Sequence, residues 1–204
     1  MKQLAIYIHG KGGSAAEAEH YRPLFFRGDV IGFDYRAQNP WSAKTEFPRF
    51  YDRYSAGYDD VVLIAGSIGA FFSMMSLGQK SIRLALLISP IVNMEDLIGN
   101  MMRWANVTEE ELRARREIPT AFGETLSWDY LCYVREHPIA WTIPTHILYG
   151  AEDHLTCRRV MTEFADRIHA SLTVMPGGKH WFHTEEQMAF LDAWVKSSVK
   201  KPFA

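Results

Sequence analysis

The chain has 204 residues, 48% of them hydrophobic and 23% charged, with a formal charge of −2. That length and balance describe one globular domain with a substantial core, and the lack of a basic excess argues against nucleic acid as a main partner. The two cysteines, Cys132 and Cys157, make neither a disulfide framework nor a metal-ligand spacing and suit a reducing cytosol.

The N-terminus, MKQLAIYIHG, is apolar only from Leu4 to Ile8, too short a stretch for a signal-peptide core. No run approaches the roughly 20 apolar residues that a membrane helix needs. The expectation is a cytoplasmic protein with no membrane span. LAIYI (4–8) is instead the first of six short apolar runs, followed by VIGF (30–33), VVLIA (61–65), LALLI (84–88), HILYG (146–150) and LTVM (172–175). They lack strict polar alternation, as strands covered on both faces do. Helix-patterned segments lie between them, and Ser14-x-x-Glu17, Thr108-x-x-Glu111 and Thr184-x-x-Gln187 match capping boxes. This alternation predicts a doubly wound α/β sheet, mainly parallel.

The rhythm breaks once, over about 91–142, where no convincing strand is visible. This insertion holds the charged helix TEEELRARRE (108–117), read as a solvated face. Its aromatics Trp104, Trp128, Tyr130, Tyr133 and Trp141 are expected to pack it onto the main body. Insertions at the carboxyl ends of strands also lie where such sheets bind ligands.

The first run ends in HGKGGSA (9–15), which supports two readings. Gly10, Gly12 and Ala15 fit G-x-G-x-x-A, a loop that cradles a dinucleotide, with Asp34 at the next strand end as ribose partner. Alternatively, His9-Gly10 and the following glycine form a strand-end loop that offers backbone N–H groups to an oxyanion.

In LIAGSIGAFFSMM (63–75) a strand runs into a helical pattern with only Gly66-Ser67 between them. Small residues flank the turn: Ala65 two before Ser67 and Gly69 two after. This is the nucleophile-elbow pattern G-x-S-x-G with alanine in its first place. It exposes the serine hydroxyl beside a helix N-terminus, although a serine here could simply cap the helix. A nucleophilic serine needs a base, and the base needs an orienting acid. His180 follows the last strand on a Pro-Gly-Gly loop, with His183 as its neighbour and rival. Asp153 follows the preceding strand, with Glu152 as rival acid and helix capping as its alternative role. His180-x-x-His183 alone does not make a zinc site, so no metal and no cofactor are expected.

Ser, then Asp, then His, each after its own strand, is the order in which the chemistry appears. With YIHGKGGS, VIGFDYRAQ, IAGSIGAFFS, ILYGAEDHLT and MPGGKHWF, it resembles the α/β-hydrolase superfamily over nearly the whole chain apart from the insertion. The resemblance implies Ser67 as nucleophile, His180 as general base and Asp153 as its orienting acid. It implies an oxyanion hole from the backbone N–H groups of Ile68 and Lys11, with Gly12 as fallback for the latter. It further implies a single domain over 1–204, built on the superfamily's sheet without its first two strands. That leaves a six-stranded parallel sheet with the first strand beside the centre and a helical cap insertion at about 91–142. The expected activity is a serine hydrolase cleaving a carboxylic ester or related acyl compound through an acyl-enzyme. The expected partner is a small-molecule acyl substrate. Methionines and tryptophans of the insertion, such as Met94, Met101, Met102, Trp104 and Trp128, point to an apolar group on it. The alternatives are a non-catalytic binding protein on the same fold, and a dinucleotide-dependent oxidoreductase. The latter leaves Ser67, Asp153 and His180 unexplained at three strand ends.

Overall fold

The computed structural model describes residues 2–25 and 28–200. It divides into two compact units, Met1–Val92 with Ala140–Ala204, and Asn93–Ile139. The first unit opens with β1 (Gln3–Ile8), a 3-10 helix (Ala15–Leu24), β2 (Gly28–Phe33), α1 (Pro40–Ser55), β3 (Asp60–Gly66), α2 (Ser67–Ser76) and β4 (Leu84–Ile88). The second unit holds α3 (Met94–Ala105), α4 (Glu109–Arg115), β5 (Glu117–Pro119), β6 (Thr125–Ser127) and α5 (Trp128–Glu136). The first unit then resumes with β7 (Thr145–Gly150), α6 (Arg158–Arg167), β8 (Ser171–Met175) and α7 (Glu185–Lys200).

Its six strands form one sheet in the order β2-β1-β3-β4-β7-β8, every neighbouring pair parallel. Both faces are covered, which is why the runs read as unbroken apolar letters. Val62, Leu63, Ile64 and Ala65 are fully buried, as are Leu84 to Leu87. Burying a leucine or isoleucine side chain contributes about 1.5–3 kcal/mol, so these central strands anchor the unit. On one face Ala5, Val62, Ile64 and Leu86 meet Leu191 and Trp194 of α7, and α1 packs on α2. The chain starts at β1, moves outward to β2, then returns past β1 to β3. The order therefore reverses between β1 and β3, and ligands bind outside such a switch point at the carboxyl ends of the strands.

One local expectation is refined and one is corrected. The helix start read at Ser14 is present with its capping box, and the helix that follows is 3-10. Pro23 removes a backbone donor from it, and the chain runs so close over β2 that a Cβ on Gly32 would lie 2.0 Å from the Ala15 carbonyl oxygen. The insertion does contain strands, a hairpin of β5 and β6. Each strand has only 3 residues, too few for a period to show. The hairpin is closed by Thr120, whose N–H and hydroxyl both donate to the Glu124 carbonyl at 2.7 Å.

Within the second unit Ile98, Met102, Leu112, Leu126 and Leu131 are buried. Arg135 of α5 ties the helices together, reaching Glu95 at 2.7 Å and Glu109 at 2.6 Å. Trp104, one of the aromatics expected to pack the insertion onto the main body, is 55% exposed. No helix among the described residues is long and apolar enough to cross a membrane.

Candidate active site

The turn from β3 into α2 is built on conformational strain. Gly66 is extended, and Ser67 follows at φ 49°, in the left-handed region. For a residue with a side chain this costs about 1–2 kcal/mol. The surroundings enforce it. Ala65 is fully buried, and a Cβ on Gly69 would lie 2.2 Å from the His9 carbonyl oxygen. Only a glycine lets α2 approach the end of β1 this closely.

The Ser67 hydroxyl donates to His180 Nε2 at 2.8 Å. On the other side of the ring, His180 Nδ1 donates to Asp153 Oδ2 at 2.7 Å. A carboxylate only accepts, so Nδ1 carries the ring proton and Nε2 presents its lone pair to the serine. The Asp153 side chain is fully buried. Its second oxygen, Oδ1, accepts from the N–H groups of Leu155 at 2.8 Å and Thr156 at 3.3 Å. The alternative role, capping the next helix, falls to Cys157; Asp153 instead holds the histidine with one oxygen and the following turn with the other.

Backbone contacts bring the two loops together. After β7, the Glu152 N–H donates to the Gly178 carbonyl at 2.8 Å and the Ala151 N–H to the Met175 carbonyl at 3.0 Å. A Cβ on Gly150 would sit 2.4 Å from the Gly178 oxygen. The rivals lie elsewhere. Glu152 is exposed. His183 is exposed too, stacked on Trp181 with its Nδ1 donating to the Trp181 carbonyl.

The loop after β1 passes beside the elbow, where a Cβ on Gly10 would be 3.2 Å from Ser67 Cβ. Lys11 follows in a turn closed by the Gly13 N–H on the Gly10 carbonyl at 3.2 Å, with Gly12 at φ 75°. Ile68 is the second residue of α2, where helical N–H groups have no partner within their own helix.

This geometry disfavours a dinucleotide. No α-helix N-terminus follows the glycines, and the Ala15 N–H donates to Asp34 Oδ1 at 2.5 Å. The acid that would hold a ribose braces its own chain. Among the described residues, no group of three or more His, Cys, Asp or Glu side chains could hold a metal ion.

Some supports of the site carried little signal in the sequence. Ser89, just past β4, is buried at φ 42°, and two residues on the Ile91 N–H donates to the Ser67 carbonyl at 3.3 Å. A Ser-Pro pair at a strand end marks such a turn, but not what it touches.

No protein-family model matches the chain, and no curated protein matches it either. Solved structures do. Est1E from Butyrivibrio proteoclasticus superposes with a TM-score of 0.75 at 15% identity, over 96% of this chain and 86% of its own. Alpha/beta hydrolase domain-containing protein 10 from mouse gives 0.75 at 16%, over 96% of this chain and 89% of its own. The fold is that of the α/β-hydrolases. On this α/β-hydrolase sheet the loops after β1, β3, β7 and β8 share one edge, and they carry Gly10, Ser67, Asp153 and His180. A second structure of Est1E, with ferulic acid bound, superposes at 0.74 and 16% identity, over 98% of this chain and 90% of its own.

Proposed function

We infer that the protein is a serine hydrolase acting on a carboxylic ester or closely related acyl compound. The observation that carries this reading is the continuous hydrogen-bonded chain from Ser67 through His180 to Asp153. As Ser67 Oγ attacks the acyl carbon, His180 Nε2 takes the hydroxyl proton. The buried Asp153 carboxylate stabilises the imidazolium that results. The backbone N–H groups of Lys11 and Ile68 receive the oxyanion, each such donor contributing about 3 kcal/mol in the transition state. Collapse expels the alcohol, which takes the proton from His180 and leaves an acyl-Ser67. Water, deprotonated by the same imidazole, then attacks the acyl carbon, and collapse expels Ser67 Oγ, which takes the proton back from His180 as the acid leaves. Residues 1–204 are read as one hydrolase domain carrying an insertion, with no cofactor in the cycle. A small acyl molecule is the partner, and a neighbour that holds ferulic acid supports that class.

A fluorophosphonate probe tests this directly, since it labels an activated serine and leaves an idle one untouched. Wild-type protein labels and hydrolyses p-nitrophenyl acetate, and Ser67→Ala loses labelling and about 10⁴-fold or more in kcat. A wild-type chain that does not label is a binding protein on this fold. An alanine variant that keeps its turnover removes Ser67 as nucleophile.

A further inference from the structure

We propose that Trp181 is a specificity-determining residue, a flat platform for the alcohol portion of the ester, and that the preferred alcohol carries a ring. The inference rests on the serine-hydrolase reading and assigns one half of the substrate to one side chain.

Among the described residues Trp181 is the most exposed large hydrophobic side chain, at 72%. It is nevertheless held in place. Phe182 turns into the core with Leu191 and Trp194 of α7. The residues on either side of it, Trp181 and His183, stay outside and stack on each other, with ring centroids 4.5 Å apart and an interplanar angle of 21°. His183 is tied twice. Its Nδ1 donates to the Trp181 carbonyl at 2.8 Å, and its backbone N–H donates to Gln187 Oε1 at 3.1 Å. Gln187 is buried, and its own N–H donates to the Thr184 hydroxyl at 3.3 Å. The imidazole thus backs one face of the indole and leaves the opposite face open. A lone exposed tryptophan on a surface needs no explanation. A tryptophan whose ring is ordered beside the general base does, because the ordering costs entropy that burial does not repay.

The chemistry says which part of the substrate comes there. The departing alcohol takes its proton from His180 Nε2, so its oxygen must come within about 3 Å of that atom. The inner side of the ring is closed, since Nδ1 is held by the buried Asp153 carboxylate at 2.7 Å. Whatever the alcohol carries must therefore leave the site along the solvent side of His180. Trp181 is the next residue, about 3.8 Å away from Cα to Cα, and it is the large apolar side chain exposed there. The acyl group is bonded to Ser67 and has no such tie to His180. An indole face takes flat partners, stacked with an offset at about 4.5–7 Å between centroids, so a ring on the alcohol gains more from it than a short alkyl chain.

Benzyl acetate and methyl phenylacetate test this directly, being isomers with the ring on opposite sides of the ester. Their kcat/KM values are measured for wild type, Trp181→Ala and Trp181→Phe, with methyl acetate as the ring-free reference. Losing an aromatic stack costs about three- to tenfold. Trp181→Ala should lose that much on benzyl acetate and stay within about twofold of wild type on the other two esters. Benzyl acetate and methyl acetate form the same acetyl-enzyme, so a loss confined to the former cannot lie in deacylation. Trp181→Phe keeps a ring and should recover most of the loss. An equal fall on all three esters, as general damage to the site would give, overturns the proposal. So does a fall on methyl phenylacetate alone, which would put the indole on the acyl side, and so do wild-type rates throughout. Should Trp181→Ala not fold, Trp181→Leu is the second ring-free variant, judged by the same ratio. If wild-type protein does not label with fluorophosphonate, the hydrolase reading itself fails and takes this inference with it. Labelling of wild type together with an unchanged ratio of the isomers in the ring-free variant rejects the inference alone.

Discussion

Gly69→Ala is the smallest change that should disturb both the fold and the chemistry. The added Cβ would stand 2.2 Å from the His9 carbonyl oxygen and 3.0 Å from Ile8 Cγ2. A carbon and an oxygen that are not bonded need more than about 3 Å between them, so one partner must retreat by about 0.8 Å or more. The nearer partner is backbone at the end of β1, so no side-chain rotation relieves the clash and α2 must slide away from the strand. Overpacking of this kind costs about 1–3 kcal/mol, which in a domain of this size lowers Tm by about 2–4 °C per kcal/mol. The same slide separates Ser67, at the start of α2, from the loop after β1. A misplacement of about 1 Å can cost 10²-fold in rate. The assay is calorimetric melting together with kcat and KM for p-nitrophenyl acetate, with the loss expected in kcat. An alanine variant that melts and turns over like wild type would show that neither contact is as tight as the geometry requires.

Asp153→Asn should lower kcat by about 10³–10⁴-fold with little change in melting. An amide can still accept the Leu155 N–H, but it can favour the wrong ring tautomer of His180. Glu152→Gln, altering an exposed side chain, should stay near wild type in the same assay, and the reverse pattern would reassign the acid. Tyr7 and Tyr21 predict the response to alkali. Burial, with neighbouring groups as lesser causes, raises both hydroxyls well above the usual 10.0, and Tyr35 is raised to about 12. Above pH 10 the unfolded chain releases protons that the folded chain keeps, so stability present below that pH falls as pH rises. Each of the two well-buried tyrosines contributes a slope of about 1.4 kcal/mol per pH unit, and the more solvated Tyr35 contributes less. Urea midpoints measured across that range should fall steeply, and Tyr7→Phe should flatten the fall; a midpoint indifferent to pH would contradict the burial.

The fold was legible because its central strands are buried on both faces. Each apolar run lies inside an observed strand, and the strands extend past the runs mainly at their N-terminal ends. Gln3, Asp29 and Asp60 belong to the ladder, yet as polar letters they carry no apolar signal. The hairpin of β5 and β6 was not legible, since one buried residue per strand, Ile118 and Leu126, is no pattern. The helix start at Ser14 was legible, but not all that its glutamate does. Glu17 does reach back to the Ser14 N–H at 3.1 Å, as a capping box requires. The same carboxylate also accepts the Tyr7 hydroxyl, so it pins the segment to β1 as well as opening a helix.

The candidate site divides along the same line. Ser67, Asp153 and His180, the proposed triad, present side chains at strand ends, where residue type and position are both visible in the letters. Choosing Asp153 over its neighbour needed more. In the structure the two loops meet through Gly150 and Gly178, and the buried carboxylate is the one that faces the ring. His9 and Tyr35 were harder still, because their partners are backbone carbonyls, and every residue has one of those. His9 was read as part of a motif whose glycines mattered, not as a donor to the next peptide. The difference is physical. A side chain that does chemistry must be of a particular type, whereas a group that receives a positioning hydrogen bond need only be in the right place. The supports of a site are therefore written in its coordinates more than in its composition, and a variant of Gly69 tests the structure in a way that a variant of Ser67 does not.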